Sequence, residues 1–192
     1  MQLALDTTTP AATPVAGPRP RVVGLDLSLT CTGIATARWT DKIRTKLRGD
    51  ARLAYLEDAV ASFIRAADLV AMEGPSFGHG ALAGHEDLAG LRVLVRRYCH
   101  RHQIPYAVLP PSNVKLYAAG RGSATKGEVR SAMADRYGIH TEGPGRYDQA
   151  DAAAVMAAAY DWLGCPLASV PERNRAALAG CAWPDTAPVV AR

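Results

Sequence analysis

The chain has few of the features that hold a small secreted fold together. Its four cysteines, Cys31, Cys99, Cys165 and Cys181, include no C-x-x-C pair and suggest no disulfide framework. They read as reduced thiols in a cytoplasmic protein. No segment is apolar enough to span a bilayer. The opening MQLALDTTTPAATPVAGPRP has neither a basic leader nor a long apolar core, which excludes a secretory signal. Its Thr, Pro and Ala content predicts a disordered tail over residues 1–20. There is no internal repeat. A length of 192 residues suits one domain with a sizeable core, expected at 21–165 and followed by a C-terminal extension over 166–192 with room for one short helix. The net charge of +4 is compatible with a polyanionic partner without demanding one.

The apolar patterning predicts an α/β architecture. RVVGLDLS reads as a buried strand, TGIATARWT as its hairpin partner and KIRTKLR as a third short strand. In that third strand Lys42, Arg44, Lys46 and Arg48 alternate with Ile43, Thr45 and Leu47, so a period of two puts the basic side chains on one face. Edge protection by charge and contact with a DNA backbone both fit this row. A helix with Leu53, Leu56, Val60 and Ile64 at helical spacing leads into the strand LVAME, which ends at Glu73. After a Gly-rich loop a second helix is expected over 86–102, then the strand PYAVLP and helices starting near Ser112, Thr125 and Asp148. A mixed sheet with helices on both faces accommodates this order.

Four carboxylates stand out. Asp26 shares a strand face with Val22 and Gly24, where a charge is costly unless it is paired or bound to metal. The plainer alternative is a carboxylate emerging at the strand end to bond a turn. Glu73 closes an apolar strand just before Gly74 and Pro75, and taken singly it reads as a solvated loop residue. Asp148 and Asp151 precede an Ala-rich helical run; we expect both in its first turn, on one face and close enough to serve one metal cluster. A helix N-cap with a box-like partner three residues on explains the same pair. Thr125 and Glu128 form a capping-box pattern that places Lys126 at a helix start, where phosphate binds well.

The strings GLDLSLTCTG, AMEGPSF, VKLYAAGRGSATKGEV and YDQADAAAVMAAA, in this order and at these intervals, resemble the RuvC family of Holliday junction resolvases over roughly residues 21–163. The resemblance implies an RNase H-like fold, a five-stranded mixed sheet flanked by helices, and a homodimer. It implies that Asp26, Glu73, Asp148 and Asp151 bind divalent metal, normally Mg2+ with Mn2+ able to substitute, and that Lys115 and Lys126 engage DNA phosphate. An aromatic after the family's glutamate stacks on junction bases; Phe77 is the candidate here. The family's first strand reads Asp-Pro-Gly, whereas Leu27 and Ser28 follow Asp26 here, as expected of a divergent, phage-type branch.

The implied activity is symmetric, paired nicking of four-way DNA junctions, leaving 5′-phosphate and 3′-hydroxyl ends. A broader branched-DNA or RNase H-like nuclease, a non-catalytic DNA-binding module, and one lobe of a sugar-kinase or actin-like ATPase remain alternatives. Cys99, His100 and His102 invite zinc, but only Cys99 and His102 share a helical face and no second ligand pair matches. His79 and His85 flank the loop after Glu73. Arg92, Arg96, Arg97 and Arg101 make one flank of the second helix basic, beside an apolar stripe of Leu88, Leu91, Val95 and Tyr98. In the family the matching helix also builds the dimer interface.

Overall fold

In the computed structural model, residues 19–76 and 84–185 are described. Five strands form one sheet: β1 (Val22–Asp26), β2 (Cys31–Ala35), β3 (Thr40–Arg44), β4 (Leu69–Glu73) and β5 (Tyr106–Leu109), in the order β3-β2-β1-β4-β5. β1–β2 and β2–β3 pair antiparallel, while β1–β4 and β4–β5 pair parallel. The mixed sheet flanked by helices that the sequence predicts is therefore the observed architecture. Among the described residues no helix is long and apolar enough to cross a membrane.

Strand alternation sorts the core into two layers. Val23, Leu25 and Leu27 face α1 (Gly49–Ile64) and α2 (His85–Arg101), where Leu56, Val60, Ile64, Leu91, Val95 and Cys99 are buried. The expected apolar stripe of α2 thus faces the sheet. Cys99 lies in this core, where burial pushes its thiol up to about 12, whereas His100 and His102 are exposed. Val22, Leu69 and Ala71 face the opposite layer, built from α3 (Pro111–Ala119), α4 (Lys126–Tyr137) and α5 (Arg146–Trp162).

α5 is buried without interruption from Gln149 to Asp161. Its run of alanines carries no long side chains, so the helix backbone can lie directly on the sheet. Two strand glycines set that separation. A Cβ on Gly24 would fall 2.2 Å from the Ala152 carbonyl oxygen, and one on Gly33 would fall 1.9 Å from that of Asp148. Glycine within a strand marks such a close backbone approach.

The third strand is shorter than its sequence pattern implies. β3 stops at Arg44 because its ladder partner β2 begins at Cys31, which is paired with Arg44. Lys46 and Arg48 therefore lie beyond the strand, and only Lys42 and Arg44 belong to the alternating row. Past α5 the chain forms a short helix, α6 (Glu172–Arg175), and a 3-10 turn over Ala176–Gly180. Ala182 then pairs antiparallel with Val108 through N–H···O bonds of 2.9 and 3.0 Å, covering the outer edge of β5. Trp183 stacks on Trp162 at a centroid separation of 4.8 Å.

Candidate active site

The parallel pairing of β1 and β4 brings two strand ends together. Leu25 lies opposite Met72, so Asp26 and Glu73 follow side by side, both on the face that α5 covers. α5 adds Asp151 from above. One ligand atom from each of Asp26, Glu73 and Asp151 lies within 4.8 Å of the other two. Two of these carboxylates come from strands whose other residues are buried, and Asp151 itself is 8 % exposed.

The helix start differs from the expectation. α5 begins at Arg146, with Gly145 at the N-cap in a left-handed conformation and no side-chain cap bond. Asp148 is thus inside the first turn and Asp151 in the second. The capping explanation of this pair falls, because glycine's freedom at positive φ turns the chain into the helix without a carboxylate cap. Asp148 lies outside the tight group of three, but its charge is felt by Asp26, Asp151 and Lys126. Burial and the neighbouring Asp148 push the Cys31 thiol up.

Cations from the same layer approach the cluster. Lys126 Nζ is 3.7 Å from Asp151 Oδ2. The capping box that places it forms as predicted: Thr125 Oγ1 accepts from the Glu128 amide at 3.3 Å, and the Thr125 amide donates to Glu128 Oε2 at 2.8 Å. Lys115, on α3, exerts its charge on Glu73 and Asp151. Arg92 comes from the other face of the sheet. Burial lowers its pKa, opposed by Glu73 and Asp26, and its Nε is buried without a hydrogen-bond partner among the described residues.

The carboxylates outnumber the cations that touch them. Asp26 is held well above the usual carboxylate range by burial and then by repulsion from Glu73 and Asp151, with Lys126 opposing. Glu73 is pushed up to about 7 by burial and then by Asp151. Asp151 is pushed up to about 6 by burial, against the pull of Lys126. Together the four carboxylates hold Lys126 above its ordinary value despite its partial burial. An all-oxygen donor set with unbalanced negative charge fits a hard divalent cation.

These shifts carry a stability consequence. Unfolded Asp and Glu titrate near 4, so between about pH 4 and pH 7 the metal-free folded chain binds more protons than the unfolded one. Its stability is fully present at the acid side of that window and is lost as pH rises through the folded values. In chelator the melting temperature should fall between pH 5 and pH 8, and magnesium should restore most of the loss at pH 8. A melting temperature that ignores both pH and magnesium would contradict the close packing of the three carboxylates.

Other residues singled out by sequence fall in different places. Arg44 ends β3, where with Lys42 it acts on the Cys31 thiol. Lys46 is exposed in the connection to α1, and His85 is exposed at the start of α2. Phe77 and His79 lie outside the described residues. Sequence reasoning missed Gly24, Gly33, Cys31 and Arg92 as parts of this site. The strand glycines carried a signal; Arg92 carried none, since its role depends on how α2 lies over β4.

No protein-family model and no curated protein matches the chain. Solved structures do. A Thermus thermophilus RuvC structure is 22% identical with a TM-score of 0.60, covering 79% of this chain and 99% of that one. The structure of T. thermophilus RuvC in complex with a Holliday junction substrate is also 22% identical, with a TM-score of 0.61 and the same coverage of each chain. The likeness establishes a shared RNase H-like fold along nearly the whole of those chains.

Proposed function

We propose that this chain is a metal-dependent endonuclease that resolves four-way DNA junctions by paired, symmetric nicks, leaving 5′-phosphate and 3′-hydroxyl ends. The observation that carries this reading is the convergence of Asp26, Glu73 and Asp151 within 4.8 Å at the ends of two central strands. The RuvC-like fold, seen also in a RuvC complex with a Holliday junction substrate, supports it.

Asp26, Glu73 and Asp151, with Asp148 one turn away, would hold Mg2+, or Mn2+ in its place. Divalent metal bound there supplies an activated water and charge stabilisation for the attacking and leaving oxygens. The protein's own contribution is placement. Buried strand ends fix Asp26 and Glu73, the close seat of α5 on Gly24 and Gly33 fixes Asp148 and Asp151, and Lys126 and Lys115 draw a phosphate toward the carboxylates. Arg44 and Lys46 contact the DNA backbone. A homodimer supplies two such sites related by a twofold axis, matching a junction cut in two strands.

The test is cleavage of a labelled synthetic four-way junction with magnesium, beside a fork, a flap and a linear duplex of the same sequence. Paired nicks confined to the junction, from a chain that sediments as a dimer, are the expected result. Equal cutting of forks and flaps would replace this reading with a general branched-DNA nuclease. Binding without cutting would replace it with a non-catalytic DNA-binding module.

A further inference from the structure

A second positively charged feature lies on the face of the sheet opposite Lys115 and Lys126. Where β1 and β4 run out, a groove opens between the β3–α1 connection, α1 and α2. It is lined by Ser28, Lys46, Arg48, Arg52, Ser76 and Arg92, among others, and none of its described lining residues is acidic. It adjoins the carboxylates directly: Ser28 follows Asp26 by two positions, Ser76 follows Glu73 by three, and Arg92 borders both the groove and Glu73.

Its cations differ in how they are held. Arg52 is fixed by Asp87 at 2.5 Å, and its Nε, like that of Arg92, is buried without a hydrogen-bond partner among the described residues. Lys46 and Arg48 are exposed and take part in no ion pair among the described residues. Between them Leu47 is 46% exposed, an apolar side chain suited to the sugar edge of a backbone whose phosphates its neighbours would contact.

We propose that this groove binds the phosphates of the DNA strand that continues past the acidic cluster. The substrate then crosses the ends of β1 and β4, held by Lys126 and Lys115 on the α5 side and by Lys46, Arg48 and Arg92 on the α1–α2 side. Two cationic zones separated by carboxylates suit a polyanion that must bring one phosphodiester to the carboxylates while its neighbours stay neutralised. The inference rests on the nuclease reading and adds the path of the strand.

The experiment is the salt dependence of junction affinity for the full-length chain, measured in chelator. Lys46→Gln combined with Arg48→Gln removes two groove cations at exposed positions. Arg38→Gln combined with Arg65→Gln, the flank variant, removes the same charge from exposed positions at the opposite end of the sheet, outside the groove. Each lost phosphate contact lowers the slope of log affinity against log salt by about 0.9, so the groove variant should be shallower than wild type by about 1.8. The flank variant should keep nearly the wild-type slope. Equal slopes for the two variants would overturn the groove and leave the nuclease reading standing. A wild-type chain that cuts junctions while the groove variant loses slope supports both. A wild-type chain that binds no DNA overturns both.

Discussion

Asp26→Asn should abolish magnesium-dependent cleavage of a four-way junction while leaving junction binding largely intact. The Asp26 carboxyl is held well above its ordinary range, first by burial and then by Glu73, Asp151 and Asp148, with Lys126 as the opposing cation. Asn keeps the shape and one acceptor oxygen but removes the charge that a divalent cation would meet. Losing one preorganised electrostatic partner in a desolvated site costs about two to three orders of magnitude in rate. A carboxylate that would hold the metal belongs at or beyond the upper end of that range. Binding rests on lysine and arginine contacts to phosphate and is not expected to weaken. The same substitution relieves repulsion among the remaining carboxylates, so in chelator its melting temperature should rise. A gain of about 1 kcal/mol corresponds to about 2–4 °C in a chain of this size. Retained cutting would remove Asp26 from the catalytic assignment. A lower melting temperature in chelator would contradict the electrostatic account.

Gly24→Ala should be among the most destabilising single-methyl changes available to this chain. The added Cβ would meet the Ala152 carbonyl oxygen at 2.2 Å and the Met156 amide nitrogen at 2.7 Å, both backbone atoms of a buried helix that cannot rotate away. The helix must lift from the sheet instead. Overpacking of this kind costs about 1–3 kcal/mol and sometimes more, and here the upper end applies because α5 is buried along most of its length. At about 3 kcal/mol the melting temperature falls by about 10 °C. Because α5 also carries Asp148 and Asp151 over Asp26, the fraction that still folds should cut poorly. Gly90→Ala in α2 is the control: its nearest neighbour would be Leu53 Cδ1 at 4.0 Å, in a helix interior where alanine is favoured by about 0.5–1 kcal/mol. The two Gly→Ala changes should therefore move the melting temperature in opposite directions. Similar effects from both would mean that α5 does not sit on β1 as described.

Local pattern made much of the molecule legible. The short apolar runs VVGLD and LVAME announced two central buried strands, and helical spacing placed α1 and α2 close to their observed bounds. The box formed by Thr125 and Glu128 was readable because all of its bonds lie within one helical turn. The carboxylates were visible as acidic residues at places where burial would be costly. One error arose where a partner on another strand decided the outcome, and another where a neighbouring glycine did. β3 ends at Arg44 because β2 has no residue to pair beyond Cys31, and nothing within KIRTKLR records that limit. Asp148 reads as a cap in isolation, yet the positive φ available to Gly145 makes a side-chain cap unnecessary.

By itself the sequence determined which segments become strands and helices, and that four carboxylates stand at or near their ends, because hydrophobic period and capping chemistry act over a few residues. Tertiary structure alone decided which of those carboxylates meet. Parallel pairing of β1 with β4 set Asp26 beside Glu73, and the missing side chains of Gly24 and Gly33 let α5 descend until Asp151 joined them. It also decided that Arg92 faces the same cluster from the opposite layer. Such encounters depend on distances between elements far apart in the chain, which are set only when both layers pack against one sheet.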